Sequence, residues 1–514
     1  INNFDFPFIM DRLRFSKLSL TFGRCKQKSA TSRKFGIRFR NRLPGRIVVD
    51  VYELIREAVG KGSLRLKRFG LGDVSRELLN EEKLDIAHSE IGKYWNGDES
   101  QIEKLIEYCK KDSELALKLL LKKNMLDKFL ELSKVSGLLL QDVLNGGEAT
   151  RVENLLLKEF KRLDFVLPCK PSQKTILDRK YERQSKALKG ALVLEPVTGL
   201  HTNAVVYLDF KSMYPSIFIA YNICPTTFLI GDTSNLDDIE FITTPLGTKF
   251  VSKKLRKGVI PRIVEYLIKE RDRVKKEMRT SRNKEERRVL DAKQYALKIM
   301  ANAFYGYTGY IRARLYVLDI ANTITSCGRS LITKTKKIVE ADKRFKVVYG
   351  DTDSVMVKTE TTDIEEAFRI GQELEKKINK KLEGIVKMKI ESIFKTLVIL
   401  AKKRYAGLSF EKINGEWKEN IVTKGIETIR RDWCDLVGET LFRVLEIILK
   451  EQNPKEAFNY VKGILNKLYK NEIPVEKLVI TKAITKPIKS YKGIQPHIEP
   501  VSYTHLRAHE TRHD

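Results

Sequence analysis

The order of apolar and polar positions predicts both helices and strands along the chain. Apolar residues recur at helical spacing over 102–121 and again over 436–470. Residues 256–306 predict two long helices, with a break at Thr280-Ser281-Arg282-Asn283. Residues 345–358 predict a β-hairpin instead, because two apolar runs flank a Gly-Asp-Thr-Asp turn. This mixture of periodicities is typical of an α+β enzyme.

Length and composition narrow the class of protein. A chain of 514 residues predicts several domains, and 42% hydrophobic residues suffice for buried cores. No apolar run reaches the length of a membrane span, which is about 18 residues. The six cysteines form no CxxC pair, which favours isolated reduced thiols over a zinc ribbon or a disulfide framework.

The charge balance points to a polyanionic partner. The chain carries 97 Lys+Arg against 67 Asp+Glu, a net charge of +30. Nucleic acid is the first interpretation, a membrane surface the second, and a merely basic protein remains the alternative to both. The excess is densest over residues 249–288, with 16 Lys+Arg and 6 Asp+Glu, where a solvated helical hairpin is the simpler explanation.

Two stretches place carboxylates next to apolar strands. The strand Ala204–Leu208 ends in Asp209 and is followed by a Ser/Pro helix start, whose free N–H groups suit phosphate. Asp351 and Asp353 lie two apart in the predicted hairpin and would share a face if the chain stayed extended, though not across a turn. Such oxygen ligands suit Mg²⁺ or Mn²⁺. Taken singly, a capped turn for Asp209 and a solvated acidic turn for Asp351 and Asp353 are the more common explanations.

A third stretch adds basic groups. Lys298, Asn302 and Tyr305 are spaced to line one helix face, and Arg271 and Lys275 share a face of the preceding predicted helix. Each stripe alone is more often a solvated face. Together with the carboxylates, however, they supply what phosphoryl transfer needs, namely metal-binding acids from separate strands and cations that offset the charge of a triphosphate.

The motifs match a known family. Asp209-Phe-Lys-Ser-Met-Tyr-Pro-Ser-Ile resembles motif A of the family B, alpha-like DNA polymerases, most closely the archaeal type. Lys298 through Gly306 resembles motif B, with Ala303 where the family often has Ser. Tyr349-Gly-Asp-Thr-Asp-Ser354 resembles motif C. The likeness extends over nearly all of residues 2–499, and the order and spacing of the motifs agree.

The resemblance implies a role for each matching residue. Asp209 and Asp353 would bind two Mg²⁺ ions, for which Mn²⁺ could substitute, with the Phe210 carbonyl as a further ligand and Asp351 in a less direct role. The incoming triphosphate would be held by four side chains, namely Arg271, Lys275, Lys298 and Asn302. Tyr214 would stack under the sugar and exclude a 2′-hydroxyl, while Tyr305 would line the pocket of the nascent base pair.

Flanking segments would contact primer–template DNA. The family's DNA-binding KKRY motif is matched by Lys402, Lys403, Arg404 and Tyr405, and the start of the thumb by the segment that contains Lys424, Arg430 and Arg431. Leu188-Lys-Gly190-Ala191 stands where the family has a YxGG loop, but without the Tyr and the second Gly, which weakens any inference about that loop. Phosphate contacts of this kind position DNA without reading its sequence.

The N-terminal part resembles a fragment of a proofreading 3′–5′ exonuclease. Asn2-Asn-Phe4-Asp5 is similar to the second exonuclease motif and Tyr108-Cys-Lys-Lys-Asp112 to the third. The first motif, Asp-x-Glu, is missing, so we expect editing to be incomplete here although the parent protein had it. We also expect residues 501–514, whose texture changes sharply, to be a non-native tail.

The implied architecture is an α+β, multidomain right hand, in which an antiparallel-sheet palm, helical fingers and a truncated helical thumb follow part of an RNase H-like exonuclease domain. The expected boundaries are 1–130 partial exonuclease, 131–200 linker and start of the palm, 201–255 palm, 256–306 fingers, 307–400 palm, 401–500 thumb and 501–514 tail.

The expected function is DNA-directed DNA synthesis in replication or repair, in the cytoplasm of a prokaryote or the nucleus of a eukaryote. Its partners would be primer–template DNA, dNTPs and, as a further candidate, a sliding clamp, with no membrane. Two alternatives remain. One is a catalytically inactive DNA-binding scaffold, against which the intact Asp209 and Asp353 argue. The other is a polymerase that uses ribonucleotides or reverse-transcribes, against which Tyr214 argues.

Overall fold

The structure divides into two compact units. The computed structural model describes residues 1–35, 38–60, 64, 66, 68–87, 89–122, 124–231, 240–413, 415–427, 433–480, 484, 487, 490, 491 and 498. The first unit comprises residues 1–64, 69–197 and 203–394, and the second comprises 65–68, 198–202 and 395–514. Arg430, Arg431 and the predicted tail 501–514 lie outside the described residues.

Helices account for most of the first unit. They are α1 Asp5–Phe15, α2 Val51–Gly60, α3 Leu71–Leu79, α4 Ile91–Trp95, α5 Glu99–Lys122, α6 Asp127–Ser136, α7 Leu140–Asn145, α8 Glu148–Arg162, α9 Gln173–Ser185, α10 Met213–Ala220, α11 Val259–Thr280, α12 Lys284–Thr308, α13 Leu318–Glu340 and α14 Ile364–Lys381. The helical periodicity predicted for 102–121 is confirmed by α5.

The strands are antiparallel wherever their pairing is recorded. In chain order they are β1 Thr31–Phe35, β2 Arg38–Arg42, β3 Gly199–His201, β4 Val205–Phe210, β5 Phe228–Leu229, β6 Phe241–Thr243, β7 Lys249–Val251, β8 Lys346–Asp351, β9 Ser354–Lys358, β10 Met388–Ala401, β11 Arg404–Ile413 and β12 Glu416–Lys424. In the first unit, β1 pairs with β2, and a three-stranded sheet has the order β5-β7-β6. The mixture of helices and antiparallel sheets confirms the α+β class.

The central sheet of the first unit has the order β10-β4-β9-β8, with β10 contributing its first residues. Its strands are rich in β-branched residues, and Val205, Val206, Val355 and Val357 are fully buried. Helix α13 packs on β8 and β9, while α14 packs on β4. A rigid, buried sheet therefore carries the segments that the sequence predicts to hold carboxylates.

The predicted hairpin at 345–358 is confirmed by β8 and β9. Asp351 pairs with Ser354, so the connection is the two-residue turn Thr352-Asp353. Gly350 is needed beside this turn, since a Cβ there would lie 2.8 Å from Leu194 Cδ1 and 3.1 Å from the Ser354 carbonyl. The hairpin is thus packed tightly against the chain that precedes β3.

The two long helices predicted for 256–306 are α11 and α12. The break between them follows from local chemistry, because Asn283 caps α12 by accepting hydrogen bonds from the N–H groups of Glu285 (2.9 Å) and Glu286 (3.4 Å). Helix α12 packs on α11 and also on α6 and α8. The pair is therefore held along its length by other helices of the same unit.

The second unit begins with strands. The end of β10 pairs with β3, and the order continues through β11 to β12. Ile413 pairs with Glu416, which closes a β-hairpin between β11 and β12. Strand residues Ala406 and Leu408 form a core with Ile426 and with Leu445 and Leu449 of the helical part.

The helices of this unit begin only at Asp435. They are α15 Asp435–Glu446, a π-helical turn Ile447–Glu451, α16 Pro454–Tyr469 and a 3₁₀ turn Val475–Leu478. The helical periodicity over 436–470 is confirmed. The expectation of a helical thumb over 401–500 is corrected in its first part, because a hairpin of apolar and β-branched residues precedes the helices.

Two expectations from composition can be compared with the fold. All six cysteines lie in described segments and are free thiols. Among the ranges that the structure describes, no helix has both the length and the apolar character needed to cross a bilayer.

Candidate active site

The ends of four strands bring polar side chains into one row. Asp209 pairs with Ser354 of β9 on one side and with Lys389 of β10 on the other, and Ser354 pairs in turn with Asp351 of β8. Residues directly opposite each other in antiparallel strands project from the same face. The register therefore places Asp351, Ser354, Asp209 and Lys389 side by side at the edge of the central sheet.

Asp353 joins this row from the hairpin turn. Thr352 adopts a left-handed φ of 62°, and the Asp353 N–H donates to the Asp351 carbonyl at 2.7 Å. The turn separates the two aspartates, so the shared strand face that an extended chain would give does not form. Instead, the Phe210 N–H donates to the Asp353 carbonyl at 2.8 Å, which joins the turn directly to the end of β4.

The Asp209 carboxyl is short of positive charge. Burial first, and then the negative charges of Asp353 and Glu391, raise its pKa from 3.8 to about 7, against an opposing effect of Lys298. A carboxyl with such a pKa is stabilised by a proton or by a cation. The Lys298 effect also shows that α12 presents its lysine to the same carboxyl.

Glu391 is an acidic residue that the sequence did not single out. Ile390 pairs with Leu208 and Ser392 with Tyr207, so Glu391 is the extra residue of a β-bulge in β10. Bulges turn a side chain away from the regular strand alternation. Glu391 raises the pKa of both Asp209 and Tyr207, which places its charge beside the site. The only signal in the sequence is a lone acid within an apolar run.

The donor set fits a hard divalent cation. Carboxylate oxygens of Asp209 and Asp353 are the ligands that Mg²⁺ prefers, and the raised pKa of Asp209 reports uncompensated negative charge. In the described part of the chain, no group of three or more His, Cys, Asp or Glu side chains encloses a space for an ion. Two carboxylates suffice where water and substrate phosphates complete the shell, as is usual for Mg²⁺.

Two tyrosines predicted for the nucleotide pocket stack on each other. The rings of Tyr214 and Tyr305 have centroids 4.7 Å apart and planes 23° apart. Burial raises the pKa of Tyr214 to about 12, with smaller effects of Tyr305 and Asp353 in the same direction. An added Cβ at Gly328 would lie 3.4 Å from Tyr214 Cε1, so α13 packs closely against the ring. Motif A, motif B and the hairpin turn thus meet at this ring.

Arg329 of α13 links this pocket to the loop that replaces YxGG. Its guanidinium donates to the carbonyls of Gly190 (2.7 Å) and Lys189 (3.3 Å). The Thr325 hydroxyl also donates to the Lys189 carbonyl, at 2.8 Å. The charge of Arg329 lowers the pKa values of Tyr214 and Tyr305 against larger opposing effects of burial. The loop is therefore anchored by backbone contacts that need neither of the missing family residues.

The basic residues predicted to bind the triphosphate lie on two helices. Lys298 and Asn302 are exposed and Tyr305 is half-buried on α12, as expected for one open face. On α11, Arg271 Nε donates to Gln294 Oε1 of α12 at 3.3 Å. The pKa of Lys275 is lowered by burial first and then by the cations Arg271 and Arg279. The structure therefore clusters Arg271 and Lys275, while it records Lys298 beside Asp209.

Comparison with known proteins identifies the family. The profile described as DNA polymerase family B matches residues 138–512, which is well over half of the chain. The chain belongs to DNA polymerase family B. The match runs into residues 501–512, so it gives no support to the prediction that this range is a non-native tail.

Curated relatives of this family B chain are eukaryotic. It is 37% identical over 525 residues to the DNA polymerase delta catalytic subunit of Plasmodium falciparum, covering 97% of the chain and 46% of the relative. The corresponding subunits of Caenorhabditis elegans and Candida albicans are 33% and 34% identical and are covered to 47% and 48%. The chain thus spans about half the length of these relatives, and the archaeal assignment receives no support.

The segment of the family B chain similar to KKRY forms a tight turn in the second unit. Lys402 and Lys403 connect β10 to β11, and Lys403 has a left-handed φ of 61°. Arg404 binds both carboxylate oxygens of Glu427 at 2.6 and 2.7 Å. Tyr405 is buried and pairs in register with the exposed Lys424. The three basic side chains 402–404 are exposed, but Arg404 already has an acidic partner.

The residues that resemble the exonuclease motifs have a different arrangement. Tyr108 and Asp112 lie one turn apart on α5, and Lys83 bridges them, with Nζ 3.0 Å from the Tyr108 hydroxyl and 3.1 Å from Asp112 Oδ2. Burial lowers the pKa of Lys83, but the hydroxyl and the carboxylate outweigh it and the net shift is upward. Asp5 begins α1 and pairs with the amino group of Ile1 at 3.2 Å. The structure therefore brings Tyr108 and Asp112 together through a lysine that the sequence did not single out.

Proposed function

We propose that this family B chain is the polymerase portion of a delta-like replicative DNA polymerase, which adds deoxynucleotides to the 3′ end of a DNA primer. The observation that carries the proposal is the meeting of Asp209 and Asp353 at one sheet edge, with the pKa of Asp209 raised to about 7. Sequence likeness to DNA polymerase delta catalytic subunits supports the same function.

Asp209 and Asp353 would hold two Mg²⁺ ions, or Mn²⁺ in their place, together with the Phe210 carbonyl. When bound, such ions stabilise the negative charge that develops on the attacking and leaving oxygens of phosphoryl transfer. The chain's own contribution is to fix the carboxylates on a buried sheet, so that little reorganisation is needed. Asp351 accepts a hydrogen bond from the Thr352 hydroxyl at 3.0 Å and would shape the turn.

The cations of α11 and α12 would hold the incoming triphosphate. Lys298 lowers the pKa of Asp209 and therefore lies where a phosphate bound near that carboxyl would meet it. Arg271 and Lys275 would bind the remaining phosphates, with Asn302 as a neutral donor on the open face of α12. Burial first, and then repulsion among the cations, lowers the pKa of Lys275. A bound anionic ligand would therefore offset an unfavourable free energy that is already present.

Tyr214 would select the sugar. Its ring stacks on Tyr305 and packs closely against α13, so it would have little room to yield to an added 2′-hydroxyl. Tyr305 would line the pocket of the new base pair. Replacing Tyr214 with Ala should ease ribonucleotide incorporation, measured as the ratio of kcat/KM for dNTP and rNTP. An unchanged ratio would contradict this role of Tyr214 and would favour the alternative of a ribonucleotide-using polymerase.

The second unit would grip primer–template DNA. Lys402, Lys403 and Lys424 are exposed, and the predicted contacts at Arg404, Tyr405, Arg430 and Arg431 would add to them. Binding through phosphates should be indifferent to sequence and should weaken steeply with salt. For a eukaryotic delta-like enzyme we place the protein in the nucleus, with a sliding clamp as a further partner.

Residues 1–130 would belong to a 3′–5′ exonuclease domain of the parent protein. The support is the contact of Tyr108 and Asp112 through Lys83, at the positions of the third exonuclease motif. Two-metal hydrolysis needs more carboxylates than Asp112 and Asp5 supply, so we expect weak editing from these residues alone. The test is 3′ digestion of single-stranded DNA with and without an added segment that carries Asp-x-Glu; no gain would contradict it.

Primer extension with Mg²⁺ and each dNTP tests the proposal as a whole. Asp353→Ala should abolish extension and leave primer–template affinity nearly unchanged. Asp342→Ala, which removes a carboxylate paired with Arg344 outside the site, is the matched control and should extend normally. Failure of the unaltered chain to extend a primer that it binds would favour the inactive scaffold. A large loss of affinity in Asp353→Ala would instead mark Asp353 as structural.

A further inference from the structure

The turn after motif A is tied to the fingers by an ion pair. Lys211, two residues after Asp209, places Nζ 2.9 and 2.7 Å from the two carboxylate oxygens of Asp272 on α11. Asp272 directly follows Arg271, one of the cations expected to bind the triphosphate. The pair therefore connects a carboxylate-bearing segment of the palm to a nucleotide-binding segment of the fingers.

The lysine end of the pair is fixed by the backbone. The Lys211 N–H donates to the Lys387 carbonyl at 2.8 Å, and its carbonyl accepts a hydrogen bond from the Ser216 hydroxyl at 3.4 Å. Ser212, the next residue, has a left-handed φ of 52°. With its main chain held in this way, Lys211 offers Asp272 a well-defined attachment point on the sheet side.

The aspartate end of the pair lies among cations. Lys211, Arg271 and Arg279 each lower the pKa of Lys275, after the larger effect of burial, and Asp272 opposes them. Like charges at this spacing repel, and a carboxylate between them offsets the repulsion. Asp272 is thus placed both to anchor α11 and to keep its cations together.

We propose that Lys211 and Asp272 are positioning residues, whose ion pair holds the basic face of α11 over the palm and so sets the affinity for the incoming nucleotide. The inference deepens the proposed polymerase function and rests on it. Neither residue needs to touch the substrate, because each acts on Arg271 and Lys275 through the placement of α11.

Single and double substitutions in the full chain test the ion pair. Lys211→Ala and Asp272→Ala should each raise KM for dNTP by roughly two- to fivefold, as expected for a partly exposed pair, with kcat nearly unchanged. The double variant should be no worse than either single variant, because the two residues act through each other. Lys211→Arg, which keeps the cation, should retain normal KM.

Lys257→Ala is the matched control. Lys257 pairs with Glu265 on the same helix, and the exposed side-chain fractions of 37% and 26% resemble the 38% and 42% of Lys211 and Asp272. This variant should leave KM for dNTP unchanged. A rise equal to that of Lys211→Ala would mean that any ion pair on α11 has the same effect, and would overturn the proposal.

Hydrogen exchange of the unliganded chain gives a readout that does not depend on catalysis. Amides of residues 266–276 should exchange several-fold faster in Lys211→Ala and Asp272→Ala than in the unaltered chain, and normally in Lys257→Ala. Failure of the unaltered chain to extend primers would refute the polymerase function, while the exchange result would still decide whether the pair holds α11.

Three results would contradict positioning by the pair. Additive effects of the two substitutions on KM would show independent roles. A lower KM in Asp272→Ala together with a higher KM in Lys211→Ala would mean that Lys211 itself binds the triphosphate once Asp272 releases it. Unchanged exchange in both single variants would likewise overturn the proposal.

Discussion

Asp209 and Asp112 are both partly buried aspartates at motif positions of family B polymerases, but their surroundings have opposite charge. Asp209 lies near Asp353 and Glu391, and burial together with their charges raises its pKa to about 7. Asp112 lies 3.1 Å from Lys83, which also binds the Tyr108 hydroxyl. At Asp209 the positive charge of Lys298 is outweighed by burial and by two acids, whereas Asp112 is paired directly with Lys83.

The difference shows how a fold can leave a carboxylate ready for a metal. Burying acids that repel one another costs free energy unless a cation lies close to them. The site at Asp209 therefore favours the binding of a divalent ion. At Asp112, the positive charge of Lys83 already offsets the negative charge of the carboxylate. The two sites should consequently respond in opposite ways to metal, to pH and to loss of a neighbouring charge.

The largest expected contrast is in catalysis. Asp209→Asn should lower the rate of primer extension on the order of 10³-fold, because it removes charge where the transition state needs it. Asp112→Asn should leave extension unchanged, because Asp112 is paired with Lys83 and lies outside the site at Asp209. Single-turnover extension with saturating Mg²⁺ measures both. Equal losses of extension rate in the two variants would contradict the different charge environments assigned to Asp209 and Asp112.

Metal binding should stabilise the chain through the first site. At a Mg²⁺ concentration of about 100 times the dissociation constant, ligand linkage predicts about 2.7 kcal/mol of added stability. Asp209→Asn should lose most of this gain, whereas Asp112→Asn should keep it. Thermal unfolding followed across a Mg²⁺ titration gives the measurement. A gain that survives in Asp209→Asn would place the responsible ion elsewhere.

The pH dependence of stability has a definite sign in metal-free protein. Because the folded pKa of Asp209, about 7, lies above its ordinary value of 3.8, the folded state retains a proton that the unfolded state releases. This contribution is complete below pH 3.8 and is lost as pH rises through about 7. Relative to Asp209→Asn, the melting temperature of the unaltered chain should fall by about 2–4 °C between pH 5 and pH 8. Parallel curves for the two proteins would contradict the assigned environment.

The smallest expected effect tests the internal lysine. Lys83→Met keeps the length of the side chain and removes its charge, so it should cost about 1 kcal/mol and lower the melting temperature by a few degrees. Mn²⁺ should then restore part of the lost stability, because the positive charge that Lys83 supplied to Asp112 would be absent. Lys118→Met, which removes one of two lysines paired with Glu81, is the matched control and should gain nothing from Mn²⁺.

Much of the candidate site could be predicted from local pattern. The hairpin at 345–358 follows from two apolar runs and a polar turn, and the break between α11 and α12 follows from the capping chemistry of Asn283. The alignment of Lys298, Asn302 and Tyr305 follows from helical periodicity alone. In each case the signal lies within a few residues, where backbone preference decides the outcome.

The rest depended on contacts between distant segments. No pattern indicates that Lys211 meets Asp272, 61 residues later, or that Lys83 meets Asp112. Whether Asp351 and Asp353 share a strand face depended on the backbone between them, and the left-handed φ of Thr352 makes a turn that separates them. The helical expectation for 401–500 failed at its start, because β11 and β12 pair with each other as a hairpin before the helices begin.

The bulge in β10 constrains how this sequence can change over evolution. Glu391 is the one extra residue of β10 within the stretch that pairs with β4. Ile390 and Ser392 lie opposite Leu208 and Tyr207 and so already project from opposite faces, which means that deleting Glu391 would restore regular alternation, whereas a one-residue deletion elsewhere in the paired stretch would shift the residues beyond it to the opposite face. We therefore expect descendants of this sequence to tolerate substitution or loss of Glu391 more readily than deletion of any other residue in that stretch.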